Sequence, residues 1–209
     1  MVFSGNYSGY DPDHVYMDGI YMNADGTLTM LVDNDNAILG GNKISIGDWS
    51  FENSNLAFTT MHPTDSPPSY TGLFSTTGGA LHLVADDSTP VPGASGNFLY
   101  FDRPSLDGEN LAFAAAGSDG EWNIYSDIGG ALSKVIAVGD LLDNKFVTSL
   151  QLGDFNSGEI GFSVEFADGS SGVYLARVVP IPSALWLFGS GLLGLFGMRS
   201  RLRSRSPSD

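Results

Sequence analysis

Cysteine is absent from the 209 residues, which excludes disulfides, thiolate metal sites and thiol catalysis. Basic residues are scarce: 9 lysines and arginines stand against 24 aspartates and glutamates, giving a formal charge of −15. A nucleic-acid binder needs a basic stripe to displace counterions from phosphates, so that class is excluded too. Charged residues of both signs make up only 16 % of the chain, below the roughly 25 % usual in soluble domains. The catalytic signatures are missing as well. There is no HExxH pair, no Gly-x-Ser-x-Gly elbow and no lysine loop to cradle a phosphate. His14, His62 and His82 are isolated and read as scattered surface residues. The sequence therefore predicts a protein that is not an enzyme, with no catalytic residue, no cofactor and no dedicated metal site.

An apolar fraction of 42 % is ordinary, so the chain has the means to bury a core. The 27 glycines favour many turns over long helices. Two dense oxygen-rich runs, Asp33-Asn34-Asp35-Asn36 and Asp11-Pro12-Asp13, carry hard ligands of the kind calcium takes. Neither has the EF-hand spacing: Ile38 occupies the glycine position and no glutamate closes the loop. Asp and Asn populate turns for backbone reasons alone. A carboxylate pair of the glycosidase type could also be assembled by folding, given so many acids.

The charge is unevenly spread. Residues 1–178 hold 23 acidic and 5 basic residues, whereas residues 179–209 hold 4 arginines and 1 aspartate. Between them, Ile181 to Met198 carries no charge at all, and Arg199, Arg201, Arg203 and Arg205 follow at every second position. Eighteen residues of helix span about 27 Å, just short of a hydrocarbon core of about 30 Å. Eight strongly apolar side chains in that run contribute roughly 2.5–5 kcal/mol to insertion, enough to enter a bilayer without anchoring deeply. The arginines form a basic stop that stays on the cytoplasmic side, leaving the acidic body outside the membrane. Gly189, Gly191 and Gly194 spell GxGxxG inside this run, but with no strand before them and no amphipathic helix after them. They read instead as a slim, close-packing helix face. Just ahead, Pro180 and Pro182 hold the backbone extended, and Pro182 suits a first helical position.

Val179, Pro180, Ile181 and Pro182, then the apolar run, then the arginine cluster, resemble a PEP-CTERM sorting signal of the VPLPA type. The likeness covers Val179 to Arg205, with Ile181 standing where the PEP form has glutamate. It implies export in a Gram-negative bacterium and recognition by an exosortase, a membrane processing enzyme that cuts near the proline motif. Release to the cell surface or into exopolysaccharide follows from the same resemblance. The first residues, MVFSGNYSGYDPDH, have neither a basic n-region nor an apolar h-region. The expectation is therefore that the chain is an N-terminally truncated piece of a longer exported protein.

The acidic body is repetitive. Gly19-Ile20-Tyr21, Gly72-Leu73-Phe74, Asn123-Ile124-Tyr125 and Gly172-Val173-Tyr174 recur at spacings of 53, 51 and 49 residues. Ala57-Phe58, Ala112-Phe113 and Gly161-Phe162 precede the last three, and Leu28–Val32, Leu81–Ala85 and Leu132–Val138 follow the first three. Gly78-Gly79-Ala80-Leu81 and Gly129-Gly130-Ala131-Leu132 match letter for letter. Within a unit the period is two: Leu111 shares a face with Phe113, Trp122 with Ile124, and Ile136 with Val138. Turn dipeptides such as Asp107-Gly108 and Asp119-Gly120 stand between. Each unit reads as three strands joined by hairpins, with a fourth strand around Val147–Leu152. Antiparallel units of about 50 residues are the size of a propeller blade, and stacking is what buries their faces. They are also similar to the tandem-repeat family named for an NxxGxxAF motif. Asn156, Gly158 and Phe162 carry part of that motif, Asn53 with Ala57-Phe58 another part, and Asp107-Gly108 with Ala112-Phe113 a third.

The fold expected is all-β: tandem antiparallel repeats of about 50 residues, propeller-like and incomplete, plus one C-terminal transmembrane helix. Residues 1–178 form an acidic ectodomain of about four repeats, the first lacking its leading strand; residues 179–205 form the sorting signal and 206–209 a tail. The function expected is that of a non-catalytic cell-surface or exopolysaccharide-associated protein. Its expected partners are an exosortase-type enzyme, the membrane through residues 181–198, and exopolysaccharide. A carbohydrate- or calcium-binding module is the alternative, and an extracellular glycoside hydrolase a further one.

Overall fold

The computed structural model describes residues 2–7, 17–24, 26–33, 45–62 and 69–177. The chain divides into two units, Met1–Arg177 and Val178–Asp209, and every described residue belongs to the first. The described residues form strands and turns without a helix, so none of them supplies a membrane-spanning helix. The proline motif, the expected span and the arginines lie outside the described residues.

Four antiparallel sheets follow one another along the chain, each a simple meander. The first holds β1 (Val2–Tyr7), β2 (Met17–Ala24) and β3 (Thr27–Asp33). The second holds β4 (Ser45–Glu52), β5 (Asn55–His62), β6 (Ser69–Ser75) and β7 (His82–Asp86). The third holds β8 (Phe98–Asp107), β9 (Asn110–Gly117), β10 (Trp122–Ser126) and β11 (Ser133–Ile136). In the fourth, the two-residue β12 (Leu141–Leu142) precedes β13 (Lys145–Asn156), β14 (Glu159–Phe166) and β15 (Ser171–Arg177).

The recurring phrases mark equivalent strands. Ile20, Leu73, Ile124 and Val173 lie on β2, β6, β10 and β15, each pairing with a preceding strand that carries the Ala/Gly-Phe phrase where there is one. Among the described residues the first sheet holds three strands, β1 to β3. One expectation is corrected. Val147–Leu152 does not complete the third sheet; it belongs to β13, which turns through Ser157-Gly158 onto β14 and is the first long strand of the fourth. The third sheet's fourth strand is β11, four residues long and therefore weakly patterned.

A shared side-chain rule explains why the phrases look as they do. The second- and third-strand aromatics stack in register: Phe58 on Phe74 at 5.6 Å, Phe113 on Tyr125 at 5.8 Å, Phe162 on Tyr174 at 6.0 Å. The ring of the third-strand aromatic lies back over the residue two before it. A Cβ on Gly72 would sit 3.1 Å from Phe74 Cε2, and one on Gly172 2.7 Å from Tyr174 Cε2. At β10 this place is taken by Asn123, whose amide stays within 3.5 Å of the Tyr125 hydroxyl and whose Oδ1 accepts from Val138 N at 2.9 Å.

Three apolar cores separate the sheets. Ile20, Val32, Leu56, Phe58 and Phe74 fill the first joint. Leu73, Phe98, Phe101, Leu111, Phe113 and Tyr125 lie in the second. Ile124, Leu152, Phe155, Ile160, Phe162 and Phe166 lie in the third. β9 serves two cores at once: Leu111, Phe113 and Ala115 face one, Ala112 and Ala114 the other. Its alternation of large and small apolar residues is what a sheet covered on both faces requires.

A polar ladder along the first hairpins ties the sheets together. Leu106 N donates to Ser50 Oγ at 3.2 Å and Gly108 N to Glu52 Oε2 at 2.7 Å. One repeat on, Phe155 N donates to Ser105 Oγ at 3.0 Å and Gly158 N to Asp107 Oδ2 at 2.5 Å. In both pairs the earlier hairpin caps amides of the later one.

Candidate functional site

The polar features of the body converge where β8 is irregular. Pro104 has no N–H to give to a ladder, so the pairing with β9 shifts between Asp102 and Ser105. Arg103 is forced to a φ of 48°, a left-handed conformation that costs a non-glycine residue about 1 kcal/mol or more. The bulge sends Asp102 and Arg103 to opposite neighbours. Asp102 hydrogen-bonds to Asp48 of β4, and Arg103 N donates to Asp48 Oδ2 at 3.4 Å. The Arg103 guanidinium meets the Gln151 amide oxygen of β13 at 2.5 and 3.1 Å, once that amide is oriented to face it, and its Nε lies 3.5 Å from Asp102 Oδ2. Asp48, Asp102, Arg103 and Gln151 therefore form one polar chain across three sheets.

Burial, the hydrogen bond to Asp48 and repulsion from its charge push the Asp102 carboxyl up to about 6, against the opposing pull of Arg103. The contact with Asp48 thus favours the protonated form of Asp102. Asp127 is also raised, chiefly by burial, while its Oδ1 accepts from Leu111 N at 2.6 Å. At the opposite extreme, Lys145 and Ser170 hold the exposed Asp168 well below the usual carboxylate range.

Beside the Arg103–Gln151 contact opens a cleft of about 370 Å³, lined by Asp102, Arg103, Glu121, Trp122, Thr148 and Gln151 among others. Trp122 is about a third exposed, and its ring is 6.4 Å from that of Tyr100. An indole face beside carboxylate, guanidinium, amide and hydroxyl groups offers flat apolar contact with several hydrogen bonds around it. That combination suits a polyhydroxylated ligand. Two carboxylates against one guanidinium weigh against an anionic one.

Of the residues singled out from the sequence, Val179, Pro180, Ile181, Pro182, Arg199, Arg201, Arg203 and Arg205 all lie outside the described residues. So do the Asp11–Asp13 run and the Asp33–Asn36 run beyond Asp33, which closes β3. His82 is exposed, with Nδ1 3.0 Å from Ala80 O; His14 and the side chain of His62 fall outside the description. Among the described residues no group of three or more His, Asp or Glu is placed to hold a metal. Sequence reasoning passed over Asp48, Asp102, Arg103 and Gln151. The available signal was Pro104 within a strand-like phrase, directly after two charged residues, which marks a bulge.

Over residues 52–155 the chain is similar to a protein family described as a family of unknown function, DUF7453. The matched stretch runs from the end of β4 to the equivalent point near the end of β13 and so contains two complete turn-to-turn repeats. No curated protein and no solved structure matches the chain.

Proposed function

We propose that this is an exported, non-catalytic protein of the Gram-negative cell surface or exopolysaccharide. In this reading it is held in the inner membrane by residues 181–198 until an exosortase-type enzyme, recognising Val179–Pro182, cuts near that motif. The observation that carries the reading is the order of parts in the tail: proline motif, uncharged run, then Arg199, Arg201, Arg203 and Arg205, directly behind a strongly anionic body. The body suits display. Its successive three- and four-stranded meanders, each joined to the next through the next sheet's first long strand, support a propeller-like, open arrangement of blades. The deciding experiment is fractionation of the native host with intact-mass measurement of the C-terminus. The expected result is a body outside the inner membrane that has lost the residues after the proline motif. A cytosolic chain with the full tail retained would overturn the proposal.

The cleft beside Trp122 favours a second reading, a carbohydrate-binding module. Titration with neutral and acidic oligosaccharides, read by Trp fluorescence, is expected to show binding of neutral chains that Trp122→Ala abolishes. Calcium binding rests only on the aspartate runs, and a calcium-dependent rise in Tm tests it. A glycosidase reading gains no support from Asp48 and Asp102: their direct hydrogen bond is closer than the roughly 5–9.5 Å that the chemistry needs between carboxyls.

A further inference from the structure

Among the described residues left-handed backbone is confined to the links between strands, with one exception. Positive φ falls there on twelve glycines and on Asn53, Ser54, Asp143, Asn144 and Ser157, where the absence of a side chain or a short polar one tolerates it. Arg103 is the exception, a long side chain inside β8 at a φ of 48°. It also precedes Pro104, whose ring favours an extended residue before it. Glycine would take this conformation freely, so nothing in the backbone calls for arginine. Strain of this kind persists where its surroundings over-determine it, and it gathers at positions that meet a ligand.

The guanidinium is held as such a position requires. Its backbone N donates to Asp48 Oδ2 at 3.4 Å, its Nε faces Asp102 Oδ2 at 3.5 Å, and both terminal nitrogens reach the reoriented Gln151 amide oxygen. A guanidinium carries five N–H donors. The side-chain contacts occupy at most three, leaving one N–H on each terminal nitrogen. The side chain is still half exposed and forms part of the wall of the cleft that Trp122 also lines. A sugar hydroxyl both accepts and donates. Two neighbouring hydroxyls can each take one N–H from the fork and pass their own protons to a carboxylate, of which the cleft offers Asp102 and Glu121. The Trp122 indole supplies the flat apolar face on which the carbon side of a pyranose ring stacks. At about 370 Å³ the cleft lies at the small end of ligand sites, which run from roughly 300 to 1,000 Å³, and it suits a ring or two better than a long chain.

We propose that Arg103 is the specificity-determining residue of this cleft and reads a pair of adjacent hydroxyls on a neutral pyranose stacked against Trp122. The inference rests on the carbohydrate-binding reading of the cleft; it adds the feature of the ligand that is recognised and the residue that recognises it. A site built to hydrogen-bond a hydroxyl rejects the analogue that lacks it, because its own polar groups are then left unpaired. Stacking alone makes no such distinction.

The test uses the full chain in detergent solution, with binding followed by saturation-transfer NMR and calorimetry. Methyl glycopyranosides of gluco, galacto and manno configuration are titrated first, then the deoxy analogues of whichever binds, each lacking one hydroxyl. The parent is expected to bind a glycoside and to lose tenfold or more in affinity for the analogues lacking either of two neighbouring hydroxyls. Arg103→Gly is expected to keep the parent's Tm, because relief of strain offsets the loss of half-exposed polar contacts. It should bind every analogue weakly and alike. Arg103→Lys keeps the charge without the fork and is expected to lose the same preference, which keeps the test open if the glycine variant does not fold. A variant that discriminates as the parent does, or discrimination by the parent that does not fall on neighbouring hydroxyls, overturns the inference and leaves the carbohydrate reading standing. A parent that binds none of the glycosides overturns both.

Discussion

Gly72 and Gly172 stand two residues before an aromatic ring that lies back over them, and their surroundings set different costs for a methyl group. At Gly72 the new Cβ would meet Phe74, the Ala85 carbonyl at 3.2 Å and Leu83, in a buried place where backbone cannot give way. Gly72→Ala is expected to cost about 1–3 kcal/mol, read as a lower urea midpoint with unchanged m-value. Gly172→Ala meets only the Tyr174 ring, half-exposed and held at its hydroxyl by Asp143 at 2.8 Å, so the ring can shift and the loss should be smaller. Asp102 gives a pH signature. Its carboxyl rises from 3.8 to about 6 on folding, so the folded state holds the proton more tightly. The stabilisation this gives is complete below about pH 4 and is lost as pH rises through about 6. Asp102→Asn keeps a hydrogen-bonding side chain with no proton to lose. Thermal unfolding between pH 4 and 7 should therefore show a flatter profile for the variant than for the parent.

The hairpins are the elements that position everything else, and their polar residues act between sheets. Removing Ser105 Oγ leaves the partly buried Phe155 amide without its acceptor. Ser105→Ala is expected to cost about 1–2 kcal/mol by chemical denaturation. Asp107→Ala, acting at an exposed turn, should cost less. Much of this level was legible. The turn dipeptides and the Ala/Gly-Phe phrases put the second and third strands where they are, because a buried aromatic needs a small neighbour and leaves that pairing in the sequence. The ladder itself was not legible, since Ser50, Glu52, Ser105 and Asp107 are the same residue types that any exposed hairpin carries. Nor was the place of Val147–Leu152, whose apolar alternation fits the end of one sheet as well as the start of the next. Pairing with Phe162–Phe166 decides it, and that is a non-local fact.

For the whole molecule, burial predicts where the structure opens first. β9 is enclosed from Leu111 to Gly117, whereas β15 alternates between half-buried and exposed residues. Amide exchange is expected to be slowest in β9 and fastest in β1, β3 and β15, with the two hairpins that flank β9 exchanging as one cooperative unit. Uniform protection across all four sheets would contradict this. The all-β, antiparallel class was readable from the turn dipeptides and the two-residue period. The exposure of Val173 was not, because Val173 has the same local pattern as the buried Ile124. The cleft was equally hidden, being assembled from β8, β10 and β13, which the chain order keeps apart.

The capping of one hairpin by the one before it also bears on how such a chain can grow. A segment excised or inserted from one turn to the next carries a donor amide at its head and an acceptor side chain at its tail. Recombination between the equivalent turns after Glu52 and Asp107 therefore sets a side-chain oxygen against a turn amide again at the new junction.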